Sequence, residues 1–420
     1  MIRLPSFRLA LTLFLFTLLP FAVQAQFSLD GEYRPRTEYR DGYRLLDTPE
    51  ADPAFFVSQR TRLGLQYEGD GYTFRLSAQD VRVWGEVAQL QDNASVNIHE
   101  AWARLKAAGN LHLKLGRQEL VYDDQRLLGS VNWTQQARSH DALVIQYRDP
   151  QSELNLHAGG AYNQQGENLL ANTYAVNNYK TLAYLWANKR FGDLSASALW
   201  LSDGFQVDEN STSFRYTWGT HLDWNPGRWQ LVGSAYHQGG DDRTRRNISA
   251  YLLAASISYQ WESLELSAGY DYLSGGSTAD ANPSRHAFHT LYATNHKFYG
   301  NMDYFLNVPA DTRGGGLQDA WLGTRLRLGA RSTAGLTWHY FTLAGEIADP
   351  GNPSTALDPY LGSELDASLS HAVSEEVSLR VGYSVLFNGR SLDRLQGRNA
   401  DSGQHWAWVM LRVQPTLFRE

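Results

Sequence analysis

The stretch FSLDGEYRPRTEYR, residues 27–40, decides the fold because its alternate residues form two chemically distinct sets. The set without an apolar member is Ser28, Asp30, Glu32, Arg34, Arg36, Glu38 and Arg40. The set without a charge is Phe27, Leu29, Gly31, Tyr33, Pro35, Thr37 and Tyr39. Successive side chains of a strand point to opposite faces, so the pattern predicts a strand between an apolar and an ionic environment. Pro35 lacks a ladder donor, which predicts a bulge or a local break in pairing.

The same alternation recurs along the chain, for example in residues 57–69, 213–225, 263–274 and 320–330. Short turns are predicted at 68–71, 107–110, 149–152, 191–193, 225–228, 262–263, 331–332 and 374–376. Long polar segments lie between them, at 41–56, 84–95, 121–140, 163–178, 203–212, 239–247, 274–316, 346–360 and 388–403. This alternation predicts an all-β fold, a transmembrane antiparallel barrel of about 18 strands with short periplasmic turns. We expect the long extracellular loops to fold partly over or into the lumen.

One segment, residues 297–305, also has strand character. We assign it to the loop 274–316, because an additional strand would break the even number that such barrels have. A soluble propeller or a pair of sandwiches is the alternative, but no repeat of propeller length is evident. Tyr and Trp also lie near many strand ends, as they do in the aromatic girdles of membrane barrels.

The composition excludes several classes of function. The 420 residues contain no cysteine, so disulfides and thiolate metal sites are absent, and we expect no metal or cofactor. Lys and Arg number 37 against 44 for Asp and Glu, a net charge of −7, which is not the basic balance of a nucleic-acid binder. Residues 1–25 have the basic start, apolar stretch and small-residue end of a secretory signal peptide. Residues 26–420 then form the barrel, in contact with the lipid of a Gram-negative outer membrane.

The ionic face predicts what the lumen conducts. The inward residues expected to line the pore are Arg34, Arg36, Arg40, Arg60, Arg62, Arg75, Arg104, Arg325 and Arg327. Guanidinium presents a planar fork that matches carboxylates, so a carboxylate polymer could pass from one fork to the next if each bound it weakly. Wall arginines paired with wall acids are the alternative, because opposed charges on neighbouring strands stabilise a sheet.

Three stretches resemble the alginate-export family of outer-membrane barrels. They are LGRQELVYDDQRLLGSVNWTQQARSHDALVIQY (115–147), FHTLYATNHKFYGNMDYFLN (288–307) with GLQDAW (316–321), and AQDVRVWGE (78–86) with HEAWARL (99–105). The resemblance implies a monomeric porin with an arginine-lined constriction and loops that cover or plug it. It implies passive, anion-selective passage of an acidic polysaccharide such as alginate, or of its oligosaccharides, and periplasmic export components as partners. A passive pore leaves export and uptake both open.

Within the matched motifs, the resemblance implies further site residues. The constriction residues would be Arg82, Arg104, Arg117, Arg126 and Arg138, with Asp80, Glu100, Glu119, Asp123, Asp124 and Asp141 as acidic partners. Tyr122 and Trp133 in segment 121–140, and Tyr292 and Tyr299 in segment 274–316, offer aromatic faces for sugar rings. The alternative for both segments is a lid packed on itself, with its charges internally paired.

Other functions remain as alternatives at this stage. One is a general anion or oligosaccharide uptake porin, and another is a surface-binding barrel whose pore stays closed while segment 274–316 holds a partner. An enzyme is not expected, because the outward-facing His371 near Ser363 lies in no nucleophile motif. The acidic pairs at 123–124 and 241–242 are too short for a calcium loop.

Overall fold

A computed structural model describes residues 26–91, 93–209, 211–278, 283–400 and 403–420. The predicted signal peptide, residues 1–25, lies outside the described residues. The strands, in chain order, are β1 (Gln26–Asp41), β2 (Ala54–Gly69), β3 (Tyr72–Val83), β4 (Val96–Ala108), β5 (Leu111–Gln118), β6 (His140–Asp149), β7 (Leu154–Tyr162), β8 (Thr181–Phe191), β9 (Leu194–Asp208), β10 (Ser211–Trp224), β11 (Trp229–Asp241), β12 (Asn247–Trp261), β13 (Leu264–Leu273), β14 (Leu317–Arg327), β15 (Ser332–Thr342), β16 (Ala348–Asp349), β17 (Asn352–Ala356), β18 (Tyr360–Ala372), β19 (Val377–Asn388), β20 (Gln404–Val413) and β21 (Thr416–Arg419).

The strands form a closed antiparallel barrel of 18 strands, which confirms the predicted fold class. Each strand pairs with its sequence neighbours, and β1 also pairs with β20, so the sheet closes on itself. Strand β21 continues β20 beyond Pro415 along the start of β1, while β16 and β17 form a separate hairpin in a loop. Closure leaves no unpaired edge, which is what a sheet needs in lipid, where backbone groups find no water.

The two faces of β1 lie as its alternation predicts. Tyr33 and Tyr39 are exposed, in line with the exposed apolar side chains of neighbouring strands, whereas Arg34 and Arg36 are buried inside the barrel. The apolar set therefore faces lipid and the ionic set faces the lumen. No helix in the described ranges has the length and apolarity to span a bilayer.

Pro35 interrupts pairing on one side only. On the β2 side the register runs without a shift through Pro35 and Gln59. On the β20 side Tyr33 pairs with Val413 and Arg36 with Met410, while the two residues between are unpaired. The predicted break is present as a gap in the β20 ladder, and no bulge forms at Pro35.

The short turns lie where the sequence places them, except that the turn predicted at 331–332 spans residues 328–331, because β14 ends at Arg327 and β15 begins at Ser332. Two predicted long loops are wrong. Strand β9 continues to Asp208 and β10 begins at Ser211, so most of the predicted loop 203–212 is strand. The loop predicted at 239–247 is confined to the residues between Asp241 and Asn247. Segment 297–305 lies in a loop, as assigned, and follows a short 3-10 helix at Asn295–Lys297.

The remaining long loops build an apolar core at the extracellular end of the barrel. Leu46, Phe305, Phe341, Leu361 and Leu392 come from different loops and strand ends, and all are almost fully buried. Leu392 belongs to a short helix, Arg390–Gln396, that ends at Gly397 in a left-handed conformation with a φ of 65°. The loops therefore pack as a folded layer against the barrel rather than extending into solvent.

Candidate functional site in the barrel lumen

Two loops enter the lumen, and we name them loop A (residues 119–139, between β5 and β6) and loop B (residues 274–316, between β13 and β14). Loop A contacts the wall on several sides. Asp123 accepts hydrogen bonds from Ser197 Oγ of β9 at 2.7 Å and Trp186 Nε1 of β8 at 3.0 Å. Tyr122 contacts Tyr184 Oη at 2.8 Å and His157 Nδ1 of β7 at 2.9 Å. Burial raises the pKa of Asp123 above its ordinary value.

The tip of loop A crosses to the opposite wall and presents consecutive backbone carbonyls to it. We name the carbonyls of residues 132–136 the carbonyl row. The wall donors are Arg34 Nη1 to Asn132 O at 2.8 Å, Arg36 Nη1 to Trp133 O at 2.8 Å, Arg34 Nη2 to Thr134 O at 2.8 Å, Arg60 Nη1 to Gln135 O at 3.3 Å and Gln79 Nε2 to Gln136 O at 2.8 Å. Neutral oxygens thus occupy guanidinium forks that would also fit carboxylates.

Side chains of the tip reinforce this docking. Gln135 Oε1 accepts from Arg34 Nε at 3.1 Å, and Gln135 Nε2 donates to Ser58 Oγ at 3.0 Å. The guanidinium of Arg36 lies 4.3 Å from the ring centroid of Trp133, which stacks on His296 of loop B at 4.4 Å. The tip is therefore held both by wall cations and by the second lumen loop.

The wall carries more guanidinium than carboxylate around the carbonyl row. Glu38 is shared by Arg36 and Arg40, each at 2.8 Å. Glu32 is likewise shared, by Arg60 at 2.6 Å and Arg412 of β20 at 3.0 Å. All hydrogen bonds donated by the Arg34 guanidinium within the described residues go to the tip of loop A, none to a carboxylate.

Arg126 anchors the middle of loop A to the far wall. Its two Nη atoms donate to Asp271 of β13 at 2.9 and 3.0 Å, and its Nε donates to Asp124 at 2.8 Å. The ring of Phe298 in loop B lies 4.0 Å from its guanidinium carbon. Burial disfavours the charged form, yet Asp271, Tyr299 and Asp124 outweigh it and raise the pKa of Arg126.

Loop B pairs with loop A and ties it to further strands. Tyr292 accepts from Gly129 N at 2.9 Å and donates its own N–H to Leu127 O at 3.0 Å. Its hydroxyl donates to Asp203 of β9 at 3.0 Å. On the opposite side, Met302 N donates to Glu364 Oε1 of β18 at 2.7 Å. The two loops together span the lumen between walls that lie on opposite sides of the barrel.

Other predicted lumen residues lie on the inward face toward the two mouths. Arg62 donates to Gln79 at 2.6 Å, Arg75 to Asp30, Arg104 to Thr73 at 3.2 Å and Arg325 to Glu265 at 3.3 Å. Arg327 follows Arg325 on the same face of β14.

Three further predicted residues lie in loop A and β4. Arg138 donates to Ala293 O at 3.2 Å, and Glu119 contacts His99 Nε2 at 2.8 Å. Glu100 accepts from Trp102 Nε1 at 3.0 Å. Their role toward a solute stays a prediction.

Four predicted constriction residues lie on the wrong face of the wall. Arg117 follows the exposed Leu115 at strand spacing, while the next residue, Gln118, is buried inside. Its partner Asp141, at 2.9 Å, alternates in the same way with buried His140 on β6. Asp80 and Arg82 share a face with the exposed Phe74, because the intervening Gln79 points into the lumen. These two ion pairs lie on the outer surface, so none of the four lines the pore.

The outward histidine weighed as a nucleophile partner has a different neighbour from the one expected. His371 Nδ1 contacts Ser332 Oγ of β15 at 2.8 Å, whereas Ser363 lies farther along β18. No cluster of metal-ligating side chains occurs in the described parts of the chain.

The contacts that sequence reasoning missed are mostly backbone contacts. The carbonyl row carries no residue signature, since any amino acid supplies the same oxygen. Val131 and Ala137, which flank the row, both have left-handed backbone, with φ of 51° and 58°. Neither residue type signals that conformation, which is uncommon outside glycine.

Comparisons with known proteins agree with this architecture. The protein-family model described as alginate export matches residues 25–404. A comparison with curated proteins gave no match.

Solved structures supply the fold. Acinetobacter baumannii OccAB1 is 14% identical, with a TM-score of 0.64 over 94% of this chain and 97% of that one. Acinetobacter baumannii OccAB4 is 12% identical, with a TM-score of 0.62 over 93% and 98%. Pseudomonas aeruginosa OpdK, in a structure with vanillate, is 13% identical, with a TM-score of 0.60 over 93% and 98%. At these identities the likeness establishes the shared barrel fold.

Proposed function

This chain belongs to the alginate-export family of outer-membrane barrels, and on that premise we propose that it conducts an acidic polysaccharide or its oligosaccharides. It is a channel of the Gram-negative outer membrane, and its family and structural neighbours are channels rather than enzymes. The proposal concerns the solute, the anion selectivity and the residues that carry it.

The docking of the carbonyl row on lumen arginines carries the proposal. Three buried guanidinium groups, of Arg34, Arg36 and Arg60, donate to neutral oxygens of loop A. A carboxylate carries the opposite charge and can accept two parallel hydrogen bonds from one guanidinium fork, which a single neutral carbonyl cannot. A uronate that reaches the wall can therefore replace the row fork by fork, so that the loop is released as the solute binds.

The same geometry keeps each site weak enough for transport. A carboxylate must displace existing hydrogen bonds, so its net gain at any one fork is small. Conduction requires binding that is favourable enough to enter and weak enough to leave. Further inward cations, among them Arg62, Arg75 and Arg104, continue the series of forks from the row toward the periplasmic turns.

The test is block of single-channel current by a hexuronic-acid oligosaccharide in planar bilayers. We expect anion-selective current in wild type, and block by the acidic oligosaccharide but not by a neutral one of the same length. Arg34→Gln with Arg60→Gln should raise the blocking concentration about tenfold or more, since hydrogen bonds to charged groups contribute about 1.5–3 kcal/mol each.

Arg117→Gln is the matched control, because that arginine lies on the outer surface and should leave block unchanged. Cation selectivity, or equal block by acidic and neutral oligosaccharides, would contradict the proposal. Equal loss of block in the control and in the lumen variant would show that overall charge, not the forks, is responsible.

Relieving backbone strain beside the carbonyl row should stabilise the closed state of the channel, in which the tip of loop A is docked on the wall. Ala137 has a φ of 58°, which glycine adopts at little cost and alanine does not. Ala137→Gly should stabilise the docked tip by about 1 kcal/mol, lengthening closed dwell times roughly fivefold with unchanged open-channel conductance. Single-channel dwell-time analysis measures this.

The control is Ala171→Gly, which removes a similar left-handed alanine, with a φ of 66°, from an exposed loop outside the lumen. Its closed dwell times should match wild type. If both variants lengthen the closed dwell times equally, the effect does not come from strain at the carbonyl row, and the prediction is wrong.

A further inference from the structure

A chamber lies in the lumen, beside the anchor of loop A. Its volume is about 470 Å³, and it extends along the wall from Glu265, near the start of β13, to Asp271, beside Arg126. Loop B contributes Lys297 and Phe298 to it, and β14 contributes Trp321 and Arg325. Sites for small molecules typically occupy about 300–1,000 Å³, so the chamber can hold a sugar unit. We name it the β14 chamber.

Three of the four acids that line the β14 chamber are engaged by other protein groups, and the fourth, Glu265, contacts Arg325. Asp271 and Asp124 both accept from Arg126. Asp366 accepts from Ser384 Oγ at 2.5 Å and from Asn301 N at 3.2 Å. Their oxygens therefore present little free negative charge to a solute.

Two cations that line the chamber, Arg325 and Lys297, are accessible, whereas Arg126 is buried. The Arg325 side chain is 65% exposed, and its one carboxylate contact, with Glu265, is long at 3.3 Å. Lys297 is exposed, and its Nζ donates to the backbone oxygen of Asp124 at 3.0 Å. No carboxylate lies within ion-pair distance of that ammonium among the described residues.

Trp321 supplies an apolar face beside these cations. A Cβ built on Gly269 of β13 would lie 2.4 Å from two indole atoms of Trp321, so the ring packs over that glycine. Gly269 thus lets the indole lie close against the wall. The ring remains partly exposed and lines the chamber.

From this arrangement we propose that the β14 chamber is a binding subsite for one hexuronate unit of an acidic saccharide. Trp321 packs against the pyranose ring, while Lys297 and Arg325 bind the carboxylate. The inference rests on the proposed function, because it assumes that the solute is an acidic saccharide. It adds a site on the far side of the barrel from the carbonyl row, so that a chain can be held by one site while it exchanges at the other.

Equilibrium binding to the purified full-length protein in detergent tests the subsite. The probe is a hexuronic-acid tetrasaccharide, with a neutral hexose tetrasaccharide for comparison, measured by isothermal titration calorimetry. Lys297→Gln, Arg325→Gln and Trp321→Leu should each weaken acidic binding about tenfold, the scale of one charge-assisted contact. Trp321→Phe should restore most of the affinity, since it keeps an aromatic face.

Arg331→Gln is the matched control, because it removes an exposed cation of the turn that follows β14, which does not line the chamber. Its affinity should stay within about twofold of wild type, as expected for screened long-range charge. Equal weakening in Arg331→Gln and Arg325→Gln, or unchanged binding in the chamber variants, would overturn the subsite.

Failure of the subsite and failure of the proposed function give different results. If the tetrasaccharide blocks current through Lys297→Gln, Arg325→Gln and Trp321→Leu as it does through wild type, and binding is unaltered, the subsite is wrong and the proposed function stands. If wild type neither binds the acidic tetrasaccharide nor is blocked by it, both are wrong.

Discussion

Removing the tip of loop A should open the channel, raising single-channel conductance about threefold or more, because a barrel of this size without a plug leaves an aqueous channel. Residues 131–137 can be replaced by a two-residue Asn-Gly turn, since Arg138 N already donates to Ser130 O at 2.6 Å across the base of the segment. The replacement deletes the carbonyl row and leaves the anchor at Arg126 in place.

The selectivity of the opened channel should change in a specific direction. Arg34 loses all of its recorded acceptors with the tip, and Arg36 and Arg60 each lose one. Uncompensated guanidinium groups in the lumen favour anions, so the ratio of chloride to potassium permeability should rise together with conductance. Planar-bilayer recording under a salt gradient measures both quantities.

Replacing seven residues of another loop controls for the effect of shortening a loop as such. Residues 165–171, in the loop between β7 and β8, are all exposed and can take the same Asn-Gly turn. Conductance and selectivity should then match wild type. An unchanged conductance after deletion of 131–137 would mean that the tip does not obstruct the path of ions.

The barrel itself follows from the sequence because its rules are local. A period of two assigns each residue of β1 to lipid or lumen, and turn residues mark the periplasmic hairpins. The same rule, applied strictly, would have removed Arg117 from the pore, since it shares a face with Leu115. Arg117 was predicted to line the pore because it lies in a family motif, but membership of a motif does not determine which face of a strand a residue occupies.

The loop predicted at 203–212 was wrong because a polar loop and a strand that faces a polar lumen have similar compositions. Most of residues 203–212 are polar, as in a loop, yet polar residues also face the lumen from strands, and Asp203 pairs with Arg215 inside the barrel. The contacts of loop A in the lumen could not be predicted from the sequence for a different reason. Loop A meets the wall through backbone oxygens and through pairs such as Arg126 and Asp271, which are far apart in sequence.

The second large effect is expected from the anchor of loop A, where Arg126→Gln should destabilise the barrel by about 3–5 kcal/mol. Asp271 is almost fully buried and depends on Arg126 for two hydrogen bonds. Glutamine cannot replace that fork, so a buried carboxylate would remain without its counter-charge. Equilibrium urea unfolding in detergent micelles, followed by tryptophan fluorescence, measures the loss.

Two further variants separate charge burial from loss of contacts. Arg245→Gln removes one partner of the exposed ion pair with Asp208, and its unfolding curve should overlay that of wild type. Arg126→Leu combined with Asp271→Leu and Asp124→Asn should recover most of the stability lost in Arg126→Gln, because no carboxylate partner of Arg126 then remains without a counter-charge. If the triple variant is as unstable as Arg126→Gln, the loss stems from packing around loop A. If Arg126→Gln itself unfolds with wild-type stability, Asp271 is not held by this pair, and loop A needs another anchor.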